Sequence, residues 1–162
     1  MSDVDCGVKS ELDELMKVFL GAFTNTGGRA PDVDAVRKVF IPEGMIIKNL
    51  GGEPVVHDLD SFIEPRRRIL TDGTLTDFSE WEVAERTEIF GSIAHRFSEY
   101  RKSGRHGGVW FEGEGRKTTQ FVRTPAGWRM SSMAWDDLPA PTGDGPGRAQ
   151  PPAASSAPSG TS

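Results

Sequence analysis

The chain has 162 residues, 36% hydrophobic and 27% charged, which suits one globular domain with a sizeable core. Its formal net charge of −5 argues against nucleic acid or an anionic membrane as the main partner. Cys6 is the only cysteine, so no internal disulfide can form, and neither a signal peptide at Met1 nor an apolar run of roughly 20 residues is present. The expectation is a soluble, cytoplasmic protein.

Residues 1–8 read as a flexible lead-in. From Lys9 onward Leu12, Leu15, Met16, Phe19 and Phe23 recur at helical spacing, with Ser10 as the N-cap and Gly27-Gly28 as the stop. A second, shorter helix fits 32–40, closed by Pro42. Residues 44–50 then read as a short strand, Gly51-Gly52 as a turn and 54–57 as the return strand. A third helical stretch covers 58–72. Pro65 lies inside it, so that helix either starts near Glu64 or carries a distorted first turn.

The second half is β-rich. Residues 76–90 form a long strand, Gly91 turns it into 92–102, and the glycine-rich stretch 103–115 reads as a loop with a short extended piece at 109–111. Residues 117–124 and 127–136 make the clearest hairpin, joined at Thr124-Pro125-Ala126-Gly127, where Pro at the second position and Gly at the fourth suit a tight turn. From Pro139 the composition changes to six Pro and four Gly with no aromatic residue. Such a segment cannot bury enough apolar surface to offset its ordering entropy, so 139–162 is expected to be a disordered tail.

Helices first and long strands after give an α+β class: three N-terminal helices packed on a curved antiparallel sheet. The runs Ile89-Phe90-Gly91-Ser92-Ile93-Ala94-His95, Phe97-Ser98-Glu99-Tyr100, Gln120-Phe121-Val122 and Gly127-Trp128-Arg129-Met130 through Asp137 carry a resemblance over 9–138. They resemble the nuclear transport factor 2-like superfamily, which includes ketosteroid isomerase and the SnoaL-like cyclases, and above all its small bacterial members. The resemblance implies a cone with an apolar pocket at its open end and a homodimer through the outer sheet face. It also implies a general-base Asp on the first short hairpin. Lys48 and Asn49 stand there, so isomerase chemistry of that type loses its carboxylate base. The cyclases' late-strand acid would fall on Asp136 or Asp137.

His95, mid-strand between Ala94 and Phe97, is the leading acid/base candidate, with Asp136 as its partner. Period-two alternation puts Ile93, His95, Phe97 and Glu99 on one sheet face and Ala94, Arg96, Ser98 and Tyr100 on the other, and the sequence leaves open which faces the pocket. Tyr100, Gln120 and Trp135 are candidate ligand-binding residues. Arg66-Arg67-Arg68 reads as a solvated helix face. His57, His95 and His106 lack ligand spacing, so neither a metal nor a cofactor is expected. The favoured function is binding of a small apolar-polar molecule in the cone pocket. The alternatives are a cyclase-, isomerase- or dehydratase-type enzyme using His95 and Asp136, and a dimeric interaction scaffold.

Overall fold

The computed structural model describes residues 2–139, so the Pro/Gly-rich tail expected from 139 onward lies, beyond its first residue, outside the described residues. The first helix, α1 (Asp3–Gly21), starts before Lys9. Ser2 caps it instead of Ser10, its hydroxyl accepting from the Asp5 N–H at 3.0 Å, and Asp3 and Asp5 sit in the first turn where the helix dipole favours negative charge. The stretch read as a flexible lead-in is therefore mostly helical, and Val8 already belongs to the core.

The second helix, α2 (Ala35–Val39), is a bare turn, because the chain goes straight into β1 (Phe40–Lys48). After β2 (Val55–His57) comes α3 (Leu59–Thr71), continuous through Pro65. Its true start is Leu59: the Asp58 carboxylate accepts from the Ser61 N–H at 2.8 Å. That cap and the burial of Leu59, Phe62 and Ile63 hold the first turns in place although Pro65 cannot donate.

Four long strands follow: β3 (Leu75–Phe90), β4 (Ile93–His106), β5 (Val109–Thr124) and β6 (Gly127–Asp137). The expected loop at 103–115 does not exist. β4 and β5 pair without a break from Ile93↔Val122 to His106↔Val109, joined by Gly107-Gly108 at φ of 60° and 84°. Two successive positive φ values make the two-residue turn whose twist matches a hairpin. The remaining glycines here are interior strand positions, crossed by neighbouring side chains.

The strands form one sheet in the order β2-β1-β6-β5-β4-β3. Every neighbouring pair is antiparallel except β1 with β6, which is parallel. The sheet is thus mixed and not wholly antiparallel as expected. Connectivity explains it: after α3 the chain restarts at the far edge and returns by three hairpins, which brings β6 beside β1 in the same direction.

The helices cover one face. Leu12, Met16 and Phe19 of α1 meet Ile46, Phe121, Met130 and Met133 from the sheet, all nearly inaccessible. Removing such side chains from water is the main stabilising term. Two polar devices tie the layers together. Beside the middle of α1, Arg96 is 2% exposed and donates to both oxygens of Glu82 at 2.7 and 3.0 Å and to Asp13 at 2.7 Å. Lys9 extends the network to Asp13 and Glu85. Past the C-terminal end of α1, buried Asn25 donates to the Leu70 and Leu75 carbonyls at 3.0 and 2.8 Å and accepts from the Phe78 N–H at 2.7 Å.

Candidate ligand-binding site

Beside the Asn25 device the inner layer is not filled. A cavity lies among Phe19 and Phe23 of α1, Phe62, Arg66, Ile69 and Leu70 of α3, and the sheet residues Phe78, Glu80, Lys102, Phe111, Lys117 and Trp135. It holds about 70 Å³ of room for the centres of water-sized groups, several times the ~10–15 Å³ one water needs. The two ends of the inner face thus differ in kind: one is closed by the Arg96 network, and the other opens between aromatic rings.

Strand register builds the polar part of the wall. Glu80 lies opposite Lys102, and Lys102 opposite Gly113. One step along, Tyr100 lies opposite Gly115, which lies opposite Asp137. A Cβ at Gly115 would overlap the Tyr100 hydroxyl, so the glycine opens a channel across β5. Through it the Tyr100 hydroxyl donates to Asp137 at 2.5 Å. Lys102 reaches the same carboxylate at 3.0 Å, passing over Gly113, where a Cβ would crowd its Cε. The following step carries Ser98, Lys117, Trp135 and Lys48 on four successive strands.

Lys117 is the buried cation at the centre. Its ammonium donates to Glu80 at 3.2 Å and lies 4.0 Å from the Tyr100 ring centroid and 5.4 Å from that of Trp135. Such aromatic faces stabilise a cation they also desolvate. Burial pushes its pKa down, and Glu80 works in the opposite direction. Burial likewise lowers Lys48 to about 8, with Arg66 adding like-charge repulsion. Arg66 rests 3.9 Å above the Phe62 ring and 5.5 Å from the Trp135 ring. Burial draws its pKa to about 10, so it stays charged at neutral pH. Burial, helped by Asp137, holds the Tyr100 phenol far above its ordinary value; it stays protonated as a donor.

The expected site residues divide between the two sheet faces. Trp135 lines the cavity. Tyr100 is on the inner face, 1% exposed, and serves the wall through Lys117 and Asp137. His95 is on the outer face, its side chain 57% exposed and its ring 2.8 Å from Glu88, so it does not stand at the cavity wall. Gln120 is its register partner on the same outer face, also exposed. Asp136 too is exposed and outward; Asp137 is the inward carboxylate. His95 and Asp136 therefore cannot act together on a molecule in the cavity. The reason is register: once Ala94 and Arg96 are buried, pleating sends His95 outward.

Lys117, Glu80, Lys102 and Arg66 were not legible as site residues. Reading 103–115 as a loop hid the pairing of Gly113 and Gly115 with Lys102 and Tyr100. The Arg66-Arg67-Arg68 run also splits: Arg67 does bond outward to Asp34 and Glu64, while Arg66 turns into the cavity. Helical spacing from Phe62, four residues earlier, is the signal that could have separated them. Among the described residues no cluster of His, Cys, Asp and Glu is placed to hold a metal ion.

The architecture is that of known proteins. A nuclear transport factor 2-like superfamily protein from Salmonella enterica superposes with a TM-score of 0.69 at 17% identity, covering 88% of this chain and 99% of that one. A putative aromatic ring hydroxylase from Novosphingobium aromaticivorans gives 0.67 at 18% identity, covering 85% and 92%. A putative calcium/calmodulin-dependent kinase II association domain from Exiguobacterium sibiricum gives 0.61 at 12%, covering 85% and 95%. No protein-family model matches the sequence, and no curated protein does. The chain has the nuclear transport factor 2-like fold, an α+β cone with a six-stranded mixed sheet. No helix among the described residues is long and apolar enough to cross a membrane.

Proposed function

We propose that the chain binds a small molecule with apolar and polar parts in this cavity, as a cytoplasmic homodimer. The carrying observation is the composition of the wall: Phe19, Phe62, Phe78 and Trp135 surround charged groups at Glu80, Lys102 and Lys117. Apolar walls with a few converging polar groups are the usual make-up of such a site. A scaffold using the fold only for assembly would gain stability by filling this space. The test is titration of the protein with naphthalene derivatives bearing neutral, anionic and cationic head groups, followed by tryptophan fluorescence. Saturable quenching by at least one, abolished when Ile69→Trp fills the cavity, is expected. No response to any member would sink the reading.

The homodimer rests on the outer sheet face, where Trp81, Val83, Ile93 and Trp110 are exposed. They stand among exposed charged groups such as Arg101, Arg105 and Glu114, and exposed aromatic side chains ringed by polar ones suit a docking surface. Light scattering is expected to give twice the chain mass at micromolar concentration, and Trp81→Glu with Trp110→Glu to give the chain mass. A native chain that is monomeric throughout would contradict the assembly.

A further inference from the structure

The charges around the cavity do not balance, and the imbalance specifies a ligand class. Arg66, Lys102 and Lys117 line it against one carboxylate, Glu80. Lys117 is matched with Glu80 at 3.2 Å, and Lys102 with Asp137 at 3.0 Å. Among the described residues Arg66 has no carboxylate at ion-pair distance. Its neighbours Arg67 and Arg37 do, at Asp34 and Asp60. Arg66 spends one donor on the Phe62 carbonyl at 3.3 Å, and a guanidinium carries five. It is meanwhile fixed in place between the Phe62 and Trp135 rings.

We propose that the molecule held here is an aromatic carboxylate, its ring among Phe19, Phe62 and Trp135 and its carboxylate on Arg66. This deepens the small-molecule reading above and rests on it. A guanidinium that is largely desolvated and feels a carboxylate only at longer range, from Glu80, is costly, and a planar carboxylate supplies both the charge and two acceptors in matching geometry. A single negative charge fits, because the two lysines already have partners. The lowered pKa values of Arg66 and Lys48, caused first by burial, are consistent with a site that gains from an added anion. The aromatic part follows from the walls, since edge and face contacts with Phe and Trp rings favour another ring.

The test uses the native chain with three probes of one shape: 2-naphthoate, 2-naphthamide and 2-naphthylmethylammonium, measured by calorimetry at one ionic strength. The expected result is naphthoate binding at least ~10-fold tighter than the amide, with the ammonium weakest, an Arg–carboxylate bond being a charge-assisted one. Arg66→Gln should erase the preference for naphthoate over the amide. Arg66→Lys should restore part of it. Unchanged circular dichroism of both variants guards against misfolding. Amide binding equal to or tighter than naphthoate, or a preference that survives Arg66→Gln, overturns the carboxylate assignment and leaves the cavity a small-molecule site. Failure of all three probes to bind overturns both.

Discussion

Replacing Arg96 by leucine is expected to lower stability by about 3–5 kcal/mol, the range for removing one partner of a buried ion pair. Arg96 is 2% exposed and satisfies Glu82 through two bonds, with Ser98 adding a third to the same carboxylate at 2.6 Å. Without the guanidinium, Glu82 stays under α1 with a hydroxyl as its remaining polar partner, and Asp13 loses its link to the sheet. The midpoint of urea denaturation measures this. His95→Ala, one residue away, is the contrast: its pair with Glu88 is exposed on both sides, so the change should stay within about 0.5 kcal/mol. Equal losses in the two variants would contradict the face assignment.

The same network gives the protein an acid limb. Burial alone would raise the Asp13 carboxyl, but hydrogen bonds from Lys9 and Arg96 outweigh it and hold the pKa below the ordinary value. Glu85 behaves likewise through Lys9 and Thr87. A carboxyl depressed in the folded state contributes stability that is fully present above its unfolded pKa. That contribution is lost as pH falls through the folded value. Stability should therefore decline below the ordinary values of 3.8 for Asp13 and 4.5 for Glu85. In Arg96→Leu the decline should be shallower, because part of the depression is already gone.

Asn25→Ala is expected to cost roughly 2–4 kcal/mol, since more than one buried backbone group loses its partner at ~1–3 kcal/mol each. The side chain joins the end of α3 to the start of β3 by bonding Leu70, Leu75 and Phe78. All three of those residues also line the cavity. The substitution should thus do two things: lower the denaturation midpoint, and raise amide hydrogen exchange at Phe78. It should also weaken probe binding in the cavity more than the stability loss alone would. Near-native stability with slow exchange at Phe78 would show that the amide is dispensable.

Much of the architecture was legible along the chain because its signals are local. The periodicity of Leu12, Met16 and Phe19, the Pro125 turn and the long β-rich runs each depend on residues a few positions apart. Asp58 could be read as a cap only once the fate of Pro65 was known, since helix continuation there depends on burial of Phe62 and Ile63. The stretch 103–115 misled for a related reason. Glycine signals a loop when nothing is known of what crosses it, yet Gly113 and Gly115 are strand positions emptied for Lys102 and Tyr100.

What only the tertiary structure decided is which face of each strand meets the helices. Alternation separates His95 from Tyr100 in a strand without a bulge, but it carries no sign. The sign came from Arg96, a charge that composition would place outside and that Glu82 and Asp13, distant in sequence, make tolerable inside. With it the whole inner set followed: Ser98, Tyr100 and Lys102 turned toward the helices, and His95, Gln120 and Asp136 turned away. The cavity charges likewise come from separate elements, Arg66 from α3, Glu80 from β3 and Lys117 from β5. No spacing in the chain records their meeting, because it is set by packing α3 over a twisted sheet whose strands are joined by register.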